Sequence, residues 1–398
     1  MAWNIERIEI LLLIAGIVSM LARKLRLPYS VGLVLAGIGL ALSPIRVELA
    51  LTRELVFSIL LPPLLFEAAF HVEWSAFRRD LPVILVLATG GVLLSLGVIA
   101  FGVVLLFHWH PALALLLGVL LSATDPVAVL AIFKETKVSE RLRLLVDAES
   151  LLNDGIVVVL FVIAMAGIMG EHLTPISMAS TFFFTVLGGM VCGALAAGLV
   201  LGLAGQSEDP LVEITFTTIA AYGSFMVAEY FHFSGVLATL TAGVIVGNIG
   251  SIGAISDKGH EAVTAFWEFM GFIANSLIFL LIGVQLTRQN LHAFWYPSLM
   301  VILLTILGRA LTVYFCCGLF ANSPLRVSRP HQHVMFWGGL RGALSLALAL
   351  GLPANLVHRE EIITTVFAVV AFSVLVQGST IAPLIKRLSR KTPLLTQE

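Results

Sequence analysis

Charge is scarce in this 398-residue sequence: Asp, Glu, Lys and Arg together make up 12% of it, against 59% hydrophobic residues. With a mean hydropathy of +1.02, that composition excludes an ordinary soluble domain. Cysteine is nearly absent too. Cys192, Cys316 and Cys317 all fall in apolar runs, so neither a disulfide framework nor a zinc spacing is available and all three read as small hydrophobes. The net charge is -1 and no basic run is interleaved with aromatics, which argues against a nucleic-acid surface. The first apolar run has no basic region before it and no small-residue cleavage site after it, so it reads as a retained span. The pairs His108/His110 and His331/His333 lie in or near connecting segments and make poor metal sites, and no cofactor is expected.

Apolar runs fill the chain instead. Windows of about twenty residues, the length that crosses a hydrocarbon core, give about thirteen segments. They start near Ile5, Tyr29, Glu54, Leu81, Pro111, Arg141, Met178, Leu211, Ser234, Glu261, Phe294, His331 and Ile362. Among the breaks are Arg23 to Pro28, Ser43-Pro44, Arg78 to Pro82, His108 to Pro111 and Gly247 to Gly253. With the amino terminus outside, the inner segments hold about sixteen Lys and Arg. The outer segments hold only Arg7, Arg46, Arg53, Arg288 and Arg359. That asymmetry places the carboxyl terminus in the cytoplasm. The expected fold is all-α and polytopic, with two inverted six-helix repeats joined by one linking span.

Under that arrangement the fifth span of the first repeat, Pro111 to Phe133, corresponds to the fifth of the second, His331 to Leu350. Both have interrupted interiors. One carries Ser122-Ala123-Thr124-Asp125-Pro126, where proline removes a helix hydrogen bond and disfavours the helical conformation at Asp125. The other carries Gly338-Gly339-Leu340-Arg341-Gly342, where glycines permit unwinding. Interrupted segments at corresponding positions point to a midplane binding site. Their exposed carbonyls and amides attract charges of opposite sign, and Asp125 and Arg341 supply one of each.

The next span opens with Glu149-Ser150-Leu151-Leu152-Asn153-Asp154. On a helix Glu149 shares a face with Asn153, and Ser150 with Asp154, so Glu149 is placed to accept a hydrogen bond from the Asn153 amide. Ionisable groups at this depth are costly and usually functional. Counting deep charges gives Asp125, Glu149 and Asp154 against Arg309 and Arg341. Two pairings are possible and one carboxylate is left over in the count, expected to be Asp154. A carboxylate in that position is neutralised by a proton or by a bound cation, so one site serves either ion. This is the chemistry of exchange, one proton for one monovalent cation, and hence electroneutral. Oxygen ligands suit a hard cation, with Asp154, Ser150, the Thr124 carbonyl and hydroxyl, and Asp125 as candidates.

Taken together, the motifs closely resemble those of the monovalent cation/proton antiporters of the NHE and NhaP type. They are Leu61 to Glu67, Thr124 to Val129, Glu149 to Gly155, Ala274 to Gly283, Gly308-Arg309-Ala310 and Gly339 to Ala343, in family order across nearly the whole chain. The resemblance implies about 13 transmembrane helices, the two broken ones crossed. It implies a core part, roughly 81–168 and 257–386, and an interface part, roughly 1–70 and 178–250, that makes a homodimer. It implies Asp154 as the acid that binds Na+ and H+, Asn153 held by Glu149, and Thr124 and Ser150 as ligands or near-ligands. Arg309 becomes the partner of Glu149, and Asp125 with Arg341 neutralise helix ends. The Asn153-Asp154 pair belongs to the electroneutral branch. Sodium is the expected cation, with lithium and potassium as alternatives that take the same oxygen set, and the resemblance further implies a role in pH homeostasis at the cell membrane and no soluble regulatory domain.

Lesser roles follow for other residues. Glu67 either lines an ion funnel or is a packed acid. Asn275 and Ser276 read as interhelical hydrogen bonders, and Gly188, Gly189 and Gly193 as a seam of close packing. Asp147 and Glu213 are expected near cytoplasmic span ends, where pH sensing is one reading. A cation channel would want rings of carbonyls or acids from several subunits. An intramembrane aspartyl protease would want Gly-x-Gly-Asp, but Asp154 follows Leu152-Asn153.

Overall fold

The computed structural model describes residues 5–25, 27–43, 51–136, 138–171, 174–206, 208–250 and 255–389. The breaks expected at Arg26, Pro44 and Ser251 to Gly253, and the orientation residues Arg46, Lys137, Arg390 and Lys391, lie outside the described residues. In lipid every backbone polar group needs an internal partner, and an apolar chain satisfies this as helix. The helices in order are α1 (Ile5–Leu25), α2 (Tyr29–Leu42), α3 (53–70), α4 (Trp74–Phe107), α5a (Pro111–Leu120), α5b (Val127–Thr136) and α6 (Glu140–Ile168). They continue with α7 (Pro175–Ala204), α8 (Pro210–Tyr230), α9 (Gly235–Ile249), α10 (Asp257–Leu286), α11 (Trp295–Leu319), α12a (Arg329–Trp337), α12b (Ala343–Leu350) and α13 (Arg359–Ser389). Among the described residues, counting each broken pair once gives thirteen helices, and no strand occurs. Seven of them, α4, α6, α7, α8, α10, α11 and α13, are long and apolar enough to cross a bilayer uninterrupted. The chain is a polytopic membrane protein.

Several starts follow from local chemistry. Proline opens α5a, α7 and α8 behind His110, Thr174 and Asp209, whose side chains accept from the first-turn amides, the arrangement that a missing proline N–H favours. One expected break is corrected. Helix α4 begins at Trp74 and runs through Pro82, where the sequence reading placed a gap from Arg78 to Pro82 and a start near Leu81. Hydropathy marks only the apolar part of a helix. Arg78 to Asp80 are helix-compatible, and buried Asp80 accepts two hydrogen bonds from Arg79, at 3.2 and 3.1 Å. The bond that Pro82 cannot make is followed within a turn by a π-helical stretch, Val86–Gly91.

The chain divides into two compact units. The first holds α1, α2, most of α4, both broken helices, α6 as far as Ser150, α10 from Asn275, α11 and α13. Within it α2 and α10 meet at glycines: a Cβ on Gly37 would lie 2.1 Å from the Leu280 carbonyl oxygen. Nearby the Tyr29 hydroxyl and Ser276 share a hydrogen bond. The second unit holds most of α3, α6 from Leu151, α7, α8, α9 and α10 as far as Ala274. Its centre is aromatic, with the Phe66 and Trp267 rings 4.5 Å apart and Trp267 Nε1 donating to Thr217 at 3.0 Å. There α7 and α9 approach through small residues, since a Cβ on Gly193 would lie 2.1 Å from the Ala238 carbonyl oxygen. In the first unit α1 and α2 group with the broken helices.

Candidate functional site

The two broken helices are the fifth and the twelfth, the same place in each set of six, and their unwound stretches meet. The Asp125 amide donates to the Leu340 carbonyl at 2.9 Å. Four half-helices therefore end at one spot, two by their carbonyl ends and two by their amide ends. Each carbonyl end has an arginine. Arg341 Nη1 donates to Ser122 and Ala123 carbonyls, at 3.2 and 3.1 Å, just past α5a. Arg309, from α11, donates to the Met335 carbonyl near the end of α12a, from Nε at 3.3 Å and Nη2 at 2.9 Å.

Both amide ends are served by one carboxylate. Asp125 Oδ1 accepts from the Val127 amide at 3.0 Å, at the start of α5b. The same side chain faces the start of α12b, beside the Ala343 amide. A negative charge at a helix amino end is stabilised by the macrodipole, and here two such ends share it. The glycines that flank Arg341 make room: a Cβ on Gly342 would fall 1.9 Å from Asp125 Oδ2, and one on Gly339 2.2 Å from Arg309 Nε.

Helix α6 supplies the remaining members. It is one unbroken helix from Glu140 to Ile168, so Glu149, Ser150, Asn153 and Asp154 occupy two adjacent turns. Glu149 takes both terminal nitrogens of Arg309, with Nη2 3.1 Å from Oε2. Both side chains are buried, which makes the pair a two-pronged, charge-assisted contact in a low-dielectric setting. The Ser150 hydroxyl donates to the Thr124 carbonyl, tying α6 to the unwound stretch of α5. Asp154 lies one turn beyond Ser150 on the same face, and Asn153 is buried beside it in sequence. Glu67 belongs to the second unit, on α3, with Oε1 3.6 Å from His71 Nδ1.

Sequence reasoning brought Thr124, Asp125, Glu149, Ser150, Arg309 and Arg341 to attention, and the first unit gathers all six. It missed the main-chain acceptors. The carbonyls of Ser122, Ala123 and Met335 carry no side-chain signature, and only the proline and glycines around them hint that their helices stop.

The family model for the sodium/hydrogen exchanger transmembrane region matches residues 10–387. The chain belongs to the sodium/hydrogen exchanger family. It is 38% identical over 366 residues to the Na+/H+ antiporter ApNhaP of Aphanothece halophytica, covering 91% of this chain and 70% of that one. To the Na+/H+ antiporter NhaH of Halobacillus dabanensis it is 35% identical over 397 residues, covering 96% and 97%. Among solved structures, the sodium proton antiporter MjNhaP1 from Methanocaldococcus jannaschii at pH 8 superposes with a TM-score of 0.79 at 20% identity, over 96% of this chain and 98% of that one. This exchanger-family chain therefore has that antiporter fold, and membership of a transporter family sets aside the channel and protease readings.

Proposed function

We propose that this chain is a secondary active antiporter that exchanges sodium for protons, one for one and electroneutrally, with both ions competing for Asp154. One observation carries the reading. The Ser150 hydroxyl holds the Thr124 carbonyl, so the unwound stretch of α5 is fastened to the α6 turn that precedes Asp154. Neutral oxygens together with a carboxylate are the donor set a hard monovalent cation takes, and the carboxylate assigned to that set is Asp154, one turn on along α6. Thr124, Ser150 and Asp154 are the proposed sodium ligands, with Asn153 and Asp125 as further members of the proposed site. Glu149 and Arg309 cancel each other's charge, and Asp125 and Arg341 balance helix ends. The four charges sum to zero, and the charge of Asp154 is then balanced by either cargo ion.

Transport by alternating access is proposed to move a core part, 81–168 and 257–386, against an interface part, 1–70 and 178–250, through which two copies pair. The bias of Lys and Arg supports an amino terminus outside and a cytoplasmic carboxyl terminus at the cell membrane. Glu67 is proposed to line the inner approach. Proton-gradient dissipation in vesicles holding the purified chain, with sodium, lithium or potassium added in turn, tests the reading. Sodium-dependent proton release that vanishes in Asp154→Asn is expected, with the apparent sodium affinity falling as pH falls because protons occupy the same site. Full activity in that variant, or no cation response in the native chain, would overturn it.

A further inference from the structure

On the first unit, Tyr314, His333, Phe336, Trp337, Thr380 and Leu384 line an open cavity of about 340 Å3, one end of it at Trp337, the last residue of α12a before the crossing. Two hydrogen bonds tie up polar atoms of its lining. The Tyr314 hydroxyl and His333 Nδ1 are 2.7 Å apart, and Trp337 Nε1 donates to Thr380 at 2.8 Å. What faces the space is aromatic and aliphatic surface.

The stretches of the two helices that wall it carry charge at one end only. On α12a, Arg329, His333 and Trp337 follow at intervals of four and so stand on one face; on α13, Thr380, Leu384 and Arg387 do the same at intervals of four and three. Trp337 pairs with Thr380 while His333 and Leu384 line the same space, which runs the helices antiparallel and brings Arg329 and Arg387 to a common end. Both are exposed, as is Lys386. Residues 321–340 and 373–389 contain Arg326, Arg329, Lys386 and Arg387 and no Asp or Glu.

An apolar slot with a cationic mouth, cut between membrane helices, matches an anionic lipid: chain inside, phosphate outside. Basic pockets between transmembrane helices bind such headgroups. We propose that this cavity seats an acyl chain of an anionic phospholipid from the surrounding bilayer, its phosphate held by Arg329 and Arg387. The occupant rests against α12a, the half-helix whose Met335 carbonyl engages Arg309.

Trp337 is the built-in reporter. The purified chain is reconstituted in phosphatidylcholine vesicles containing phosphatidylglycerol or further phosphatidylcholine brominated on its chains, and the Trp337→Phe chain is subtracted as background. Stronger quenching by the brominated phosphatidylglycerol is expected. The preference should fall roughly fivefold for each charge removed in Arg329→Gln and Arg387→Gln. Leu384→Phe, which narrows the slot, should weaken quenching by either lipid. High salt should erase the preference in the native chain without any substitution. Equal quenching by the two lipids, a preference that survives both glutamines or salt, or quenching indifferent to Leu384→Phe would each overturn the proposal.

Discussion

Arg309 and Glu149 are bound through both prongs of each, Nη1 to Oε1 and Nη2 to Oε2, while Arg309 Nε and Nη2 also reach the Met335 carbonyl. One guanidinium thus joins α11, α6 and α12a. Removing either partner alone leaves a buried charge, at a cost of about 3–5 kcal/mol. Arg309→Met or Glu149→Leu should sharply lower the thermal unfolding temperature in detergent. The double variant should lose clearly less than the sum of the two, and strict additivity would mean the pair contributes nothing as a pair.

Asp125→Asn keeps an acceptor oxygen but removes the charge shared by the starts of α5b and α12b. The expected loss is about 1–2 kcal/mol, visible as a lower unfolding temperature together with slower exchange. Asp125→Ala, which removes the acceptor as well, should lose more. An asparagine variant as stable and active as the native chain would show that the two helix starts do not depend on that charge.

Gly342→Ala tests clearance alone. Its methyl group would occupy the space of Asp125 Oδ2, 1.9 Å away, and would push the carboxylate off at least one of its amides. Exchange should fall at least as far as in Asp125→Asn, and combining the two substitutions should add little further loss.

Ser150→Ala leaves the Thr124 carbonyl without the hydroxyl that holds it. A half-maximal sodium concentration raised about tenfold is expected from the loss of roughly 1–1.5 kcal/mol, with a smaller change in maximal rate. Ser150→Thr should restore part of the loss. Unchanged sodium dependence in the alanine variant would separate Ser150 from the ion.

In the second unit, Gly193→Val forces α7 away from the Ala238 carbonyl. Overpacking of this kind costs about 1–3 kcal/mol and should show in the unfolding temperature. Gly198→Val on the same helix, where a Cβ meets nothing within 4 Å, should be tolerated.

Much of this was legible in the residues because lipid leaves so few options. Apolar runs become helices, and Pro126 and the glycines around Arg341 mark where two of them stop. The start of α4 at Trp74 was not legible, because a helix that continues beyond the hydrocarbon looks, by hydropathy, like a loop. The choice of partner for Arg309 was open from charge counting alone and needed the coordinates. So did the double duty of Asp125, since nothing local to Thr124-Asp125-Pro126 says that a second helix, more than two hundred residues on, begins against it. The acceptors Ser122, Ala123 and Met335 act through the main chain, where sequence is silent.

The distance along the chain between these partners sets a problem of biogenesis. Glu149 is made 160 residues before Arg309, and Ser122 is made 219 before Arg341. At a synthesis rate of about 5–20 residues per second, the first delay is roughly 8–32 seconds. Throughout it the amino-terminal half holds Asp125 and Glu149 at membrane depth while the arginines are still untranslated. The nascent chain must keep those acids protonated, hydrated or sheltered by the insertion machinery until α11 and α12a arrive, and the last quarter of translation is what closes the centre of the molecule.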